Sequence, residues 1–131
     1  MPYFLVPLVA WFVAGVLKFA INAIQHGSDA KKLIGNGGFP SNHTTVITSI
    51  TSLIGLNEGW YDPAFGLGIA VLMIVIFDAS GIRRQVGYHA TYLNTKDNEA
   101  GLRERVGHSK IEIAGGLILG ILISLGFHIC F

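Results

Sequence analysis

The sequence holds a single cysteine, Cys130, so no disulfide can form within the chain. Its histidines and acids show no zinc spacing, and EF-hand and Walker patterns are absent, so neither a structural metal nor a nucleotide cradle is expected. Internal repeats and low-complexity tracts are missing as well. Charge is scarce: Lys, Arg, Asp and Glu make up 13% of 131 residues against 51% hydrophobic, with a net charge of +1. That balance excludes an ordinary soluble domain, and no nucleic-acid partner is expected. With 17 glycines it points to one domain, residues 1–131, built as a polytopic helical membrane bundle with close helix contacts.

Four apolar stretches predict an all-α architecture of about four transmembrane helices: Tyr3–Ile24, Thr44–Leu56, Ala64–Ala79 and Ile111–Phe131. The first lacks the basic start and cleavage site of a signal peptide and reads as a retained helix. Lys18 near its end either faces a polar cavity or snorkels to the surface. Thr44–Leu56 is short and rich in Thr and Ser, which predicts burial inside the bundle. Asn57–Pro63 reads as a tight turn with Trp60 and Tyr61 as interfacial anchors. Gln25–Phe39, with His26, Asp29, Lys31 and Lys32, and Arg83–Gly107 read as polar surface segments. Gly116, Gly120 and Ser124 form a four-residue ridge for close helix approach, within the chain or across a homodimer.

Four spans place both termini and the Asn57–Pro63 turn on one side. All nine basic residues then fall on or near the other: Lys18, Lys31, Lys32, Arg83, Arg84, Lys96, Arg103, Arg105 and Lys110. By the positive-inside rule that polar face is cytoplasmic.

Chemistry concentrates on the same face. In Gly35–Thr45, paired glycines permit close backbone approach, Ser41 or Asn42 can cap the next helix, and His43 stands at its mouth. A helix start of this kind is an anion site, although a capped turn between two helices has the same residues. His108 and Glu112 are four apart and share a helix face. Such a carboxylate accepts Nδ1–H and leaves Nε2 free as base or nucleophile, although surface His–Glu pairs are also common.

Three blocks in order, Gly-Gly-Phe-Pro-Ser-Asn-His (37–43), Asp-Ala-Ser-Gly-Ile-Arg-Arg (78–84) and Val-Gly-His-Ser-Lys-Ile-Glu-Ile (106–113), resemble those of a divergent branch of the type-2 phosphatidic acid phosphatase / vanadium haloperoxidase superfamily. The Leu93-Asn94 pair extends the likeness over nearly the whole chain. The resemblance implies an integral membrane phosphatase-like domain without cofactor or metal. It makes His108 the nucleophile, Glu112 its orienting acid and His43 the general acid. Lys18, Gly38, Ser41 and Asn42 become phosphate ligands, with Arg83 and, less directly, Arg84 replacing guanidinium groups absent at the main-family positions. Arg103 lies one place beyond the expected position, which Leu102 occupies. His89 has an arginine six residues before it but Leu93 where the orienting acid belongs, so His108 is preferred. The implied substrate is a lipid phosphomonoester of the phosphatidylglycerol phosphate or phosphatidate type, drawn from the bilayer. A polyprenyl diphosphate phosphatase and a non-catalytic anion-binding membrane subunit are the alternatives, the second favoured by the displaced arginines.

Overall fold

The computed structural model describes residues 2–27, 37–97 and 99–131. Among these residues it contains five helices: α1 Leu5–His26, α2 Asn42–Asn57, α3 Pro63–Ser80, α4 Ile82–Lys96 and α5 Lys110–Cys130. Asp29, Lys31, Lys32, Gly35 and Asn36, which the sequence places on the polar face, lie outside the described residues.

Each boundary has a local cause. Ser41 caps α2, accepting from the Thr44 amide. Asp62 caps α3 through the Ala64 amide at 2.7 Å, with Pro63 entering the first turn, where no N–H is needed. Ser109 and Glu112 form a reciprocal capping box at the start of α5.

α2 is the central helix and packs against α1, α3 and α5. Its buried positions are Thr44, Thr45, Thr48, Ser49, Thr51, Leu53 and Gly55, more polar than a lipid-facing helix allows. At 16 residues it is about 24 Å long at the usual helical rise. Among the described residues the stretches long and apolar enough to cross a membrane are three, Leu5–His26, Pro63–Lys96 and Lys110–Cys130, where about four were expected. α2 still runs between the two faces. Ser41 begins it at the polar end, and at the other end Asn57 meets His128 while Glu58 meets Tyr3. Both terminal helices and the α2–α3 turn therefore share one face, as the sequence predicts.

Packing is inverted relative to a water-soluble domain. The apolar core is small (Val6, Ala10, Ala14, Leu53, Ala79, Ala90, Ile113), while Trp11, Phe12, Leu67, Ile74, Phe77 and Leu122 are exposed. Lipid solvates large apolar groups as well as a core does, so small residues go where helices must approach closely.

The glycine ridge of α5 is used inside the chain. A Cβ on Gly116 would stand 2.7 Å from the Ser41 carbonyl oxygen, and one on Gly120 would stand 2.6 Å from Thr48 Cβ and 2.8 Å from the Thr45 carbonyl oxygen. The ridge is thus filled by α2 and is not open to a second copy. Gly120→Ala is expected to cost about 1–3 kcal/mol by overpacking, outweighing the roughly 1 kcal/mol helix-propensity gain. Gly126→Ala, where nothing lies within 4 Å, keeps the gain alone. Thermal melting in detergent should lower the midpoint for the first and leave or raise it for the second.

The polar segment Arg83–Gly107, for which the sequence suggested no element, is a helix as far as Lys96. Its buried positions are only Gly87 and Ala90, while the larger apolar residues Ile82, Val86 and Leu93 stay exposed. Gly87 permits the fit, since a Cβ there would lie 2.5 Å from the Glu104 carbonyl oxygen.

Candidate active site

The segment after α4 folds back along it, held by Asn94. The Asn94 amide nitrogen donates to the Leu102 carbonyl at 2.8 Å and to Glu104 Oε1 at 2.7 Å, and its oxygen accepts the Leu102 amide at 2.9 Å. Thr91 donates to Glu104 Oε2 at 3.0 Å. These two bonds hold the Glu104 carboxyl below the ordinary carboxylate range. Further on, Gly107 takes φ 82°, and the His108 amide bonds the Ala79 carbonyl at the end of α3, at 3.0 Å. A side chain at Gly107 would collide with that same carbonyl and with the Arg84 backbone. His108 is therefore delivered between α3 and α5 by backbone contacts alone.

There His108 is 6% exposed and its Nδ1 lies 2.8 Å from Glu112 Oε2. The same oxygen accepts the Gly38 amide at 3.2 Å and the Ser109 amide at 3.3 Å. A carboxylate only accepts, so Nδ1 carries the proton and Nε2 the lone pair. Burial lowers the His108 pKa from the ordinary 6.5, partly offset by the Glu112 hydrogen bond, so the ring is neutral at neutral pH.

His43 faces His108 across the α2 start, with ring centroids 6.5 Å apart and planes at 57°. Arg83 Nη1 stands 3.5 Å from His43 Nε2, and its Nε pairs with Asp78. Asp78 thus holds Arg83 over the histidine. Lys18 is half-buried, beside Gly38 and within electrostatic reach of Glu112, His43 and His108.

The remaining expected ligands are arranged differently from a simple cradle. Gly38 gives its amide to Glu112, with φ 144° holding the turn. Ser41 is fully buried, its Oγ 2.9 Å from Thr44 Oγ1 and its amide on the Glu112 carbonyl at 2.9 Å. These two groups frame the His–Glu pair. The Asn42 side chain lies toward Gly15 of α1. The amides of Asn42 and His43, at the first two positions of α2, have no acceptor inside the helix. Arg84 turns away from His43, donating to the Tyr88 hydroxyl at 2.9 Å and stacking over its ring. His89 is exposed on α4. His26 closes α1, and His128 meets Asn57 at the opposite face.

Arg105 was not among the sequence candidates, yet it acts electrostatically on Lys18 and lines a cavity of about 240 Å³ with Arg84, Tyr88, His108 and Glu112. Only the return of residues 99–109 along α4 brings it there, and nothing in the local pattern marks it.

A helical bundle with three helices long and apolar enough to cross a membrane among the described residues, and a buried His–Glu pair facing a second histidine at one end, defines an integral membrane protein with a polar site on one face. The chain belongs to the Divergent PAP2 family, which it matches over residues 1–123. It is 29% identical to the uncharacterized membrane protein YuiD of Bacillus subtilis (strain 168), with 90% of this chain and 88% of that protein aligned. No solved structure matches it. The family places it in relation to the phosphatases of the PAP2 superfamily.

Proposed function

We propose that this protein is a membrane-embedded lipid phosphate phosphatase that hydrolyses a phosphomonoester through a phosphohistidine on His108. In this reading Nε2 of His108 attacks phosphorus, the bond from phosphorus to the alkyl oxygen breaks, and His43 gives a proton to the leaving oxygen. Water then attacks the adduct, His43 takes its proton, and the P–N bond breaks to release phosphate. Lys18, Arg83 and the Asn42 and His43 amides neutralise the phosphoryl oxygens, the main electrostatic task of the reaction.

The observation that carries the reading is the opposition of two imidazoles, one oriented by a carboxylate, with cations beside the gap. Their ring centroids are 6.5 Å apart, which puts both imidazoles within reach of one phosphoryl group. Arg83 only donates, so as placed His43 Nε2 accepts from it. A phosphate drawing the guanidinium to itself frees that nitrogen to carry the acid proton.

The apolar exterior favours a substrate whose tails stay in the bilayer, of the phosphatidylglycerol phosphate or phosphatidate type, with a polyprenyl diphosphate as the alternative. Purified protein should release phosphate from such lipids, unimpaired by chelator and inhibited by vanadate. Binding without release would assign it to the anion-binding subunits. Loss with chelator and recovery with magnesium would replace the phosphohistidine scheme.

Glu112→Gln keeps the shape of the site but weakens control of the His108 tautomer. Its expected cost in kcat is about tenfold to a thousandfold, below the roughly ten-thousandfold loss when a serine-protease triad carboxylate becomes an amide. Steady-state kinetics on a soluble phosphomonoester reads this directly.

The one-sided basic residues support a cytoplasmic site. A cysteine at Asn57 should react with an impermeant maleimide in intact cells while one at Glu99 does not, in each case with Cys130 replaced. The reverse pattern would place the site outside.

A further inference from the structure

The cavity on the Arg84 side of the His108–Glu112 pair lies apart from the contact between Arg83 and His43. Arg84 and Arg105 are its cations. Arg84 is held as an oriented donor by Tyr88, 2.9 Å to the hydroxyl and 5.9 Å to the ring centroid. The Arg105 backbone is fixed because its carbonyl accepts the Gly37 amide at 3.0 Å, and its exposed guanidinium has no ion pair among the described residues. Two carboxylates also line the wall, and both are already occupied. Glu112 Oε2 accepts from His108, Gly38 and Ser109, while Glu104 accepts from Asn94 and Thr91. The cavity therefore offers guanidinium N–H groups that neither carboxylate engages among the described residues. Its volume of about 240 Å³ admits a phosphate group. His108 and Glu112 line this cavity too, which sets it beside the phosphoryl site.

We infer that Arg84, Tyr88 and Arg105 bind a second phosphate of the same lipid, so that the preferred substrate carries two phosphates a few bonds apart. The inference rests on the phosphatase reading. The shared chemistry is a terminal phosphoryl group joined to a second phosphate, either through a short linker as a phosphodiester or directly as a diphosphate. The His108 site takes the terminal group, and the arginine cavity takes the other.

The test uses the full chain in detergent or nanodiscs with three substrates: phosphatidate, phosphatidylglycerol phosphate and farnesyl diphosphate. At least one two-phosphate substrate should have a KM well below that of phosphatidate, and which one does so distinguishes the linker from the direct diphosphate. In Arg84→Gln/Arg105→Gln, the ratio of kcat/KM for that substrate to kcat/KM for phosphatidate should fall by about ten- to a hundredfold, the usual effect of lost hydrogen bonds to a charged group. Tyr88→Phe, which frees Arg84 without removing charge, should lower the ratio in the same direction by less. Equal losses on all three substrates, or an unchanged ratio, would overturn the inference. A binding arm separates this outcome from failure of the phosphatase reading. Displacement by methylenediphosphonate should be stronger than by methylphosphonate in the wild-type protein, with the preference lost in the double variant. That result without turnover would sink the phosphatase reading and keep the cavity. Equal binding of the two phosphonates would sink the cavity whether or not turnover is seen.

Discussion

His108→Ala should remove phosphate release altogether, a loss of about ten-thousandfold to a millionfold, the range seen when a nucleophile acting in a catalytic unit is deleted. The size of the effect follows from the environment. His108 is almost fully buried, is neutral at neutral pH and has Nδ1 bound to Glu112, so its free nitrogen is the group pre-set for attack. No other histidine among the described residues combines burial with a carboxylate partner: His43 neighbours a guanidinium, and His26, His89 and His128 are exposed. The protein should still fold, because the backbone contacts of residue 108 to Ala79 remain. Binding of vanadate or phosphate should persist at reduced strength, since Lys18, Arg83 and the α2 amides are untouched. Retained turnover in a correctly folded His108→Ala protein would remove the nucleophile assignment.

His43→Ala should produce the second largest loss, and its size should depend on the leaving group. An alkyl phosphate leaves as a strongly basic alkoxide and needs a proton as the bond breaks. An aryl phosphate leaves as a weakly basic phenoxide and needs little help. The expected loss in kcat/KM, which reports the phosphorylation step, is about a hundredfold to ten-thousandfold on the alkyl ester and less than about tenfold on a nitrophenyl ester. A residue that only positions Arg83 would lower both rates equally, so comparison of the two esters separates acid catalysis from positioning. His43→Gln, which preserves a polar contact with Arg83, should behave like His43→Ala on the alkyl ester if proton donation is the role.

The helices that touch lipid were legible because their composition is uniform over a membrane's thickness. α2 was legible for a different reason: Thr and Ser at 44, 45, 48, 49 and 51 have no place against lipid and must be enclosed. α4 was not legible. Gly87 and Ala90 are its buried side, and the spacing of Ile82, Val86, Ala90 and Leu93 is diluted by a strongly polar background. The α5 ridge announced close packing, but spacing alone does not say whether the partner is α2 or a second chain.

The site divides in the same way. His108 and Glu112 could be read from an i,i+4 spacing at a helix start, since that geometry is local. Ser41 was recognisable as a capping residue, but a hydroxyl in a cap and a hydroxyl on phosphate have the same sequence, and the structure commits it to Thr44. Gly38 was marked by its neighbours as a close-approach position, whereas its acceptor, Glu112, lies 74 residues away. Arg83 and Arg84 are adjacent in the chain and point to different partners, Asp78 with His43 in one case and Tyr88 in the other. Arg105 depends on the path of residues 99–109 back along α4, which is fixed by Asn94 and Glu104 and by no pattern of hydrophobicity.

The central claim is that phosphate passes through a covalent bond to His108. The direct measurement is rapid acid-free quenching of the full-length protein during turnover of a radiolabelled phosphomonoester, followed by peptide mapping. The proposed mechanism predicts an acid-labile, base-stable phosphoryl group on His108, formed in the presence of chelator and, with a nitrophenyl ester as substrate, accumulating further in His43→Ala, where phosphorylation is little slowed but water is no longer activated for the second step. A phosphoryl group on His43 or His89, or turnover that continues with no phosphoenzyme and only when magnesium is supplied, would contradict it.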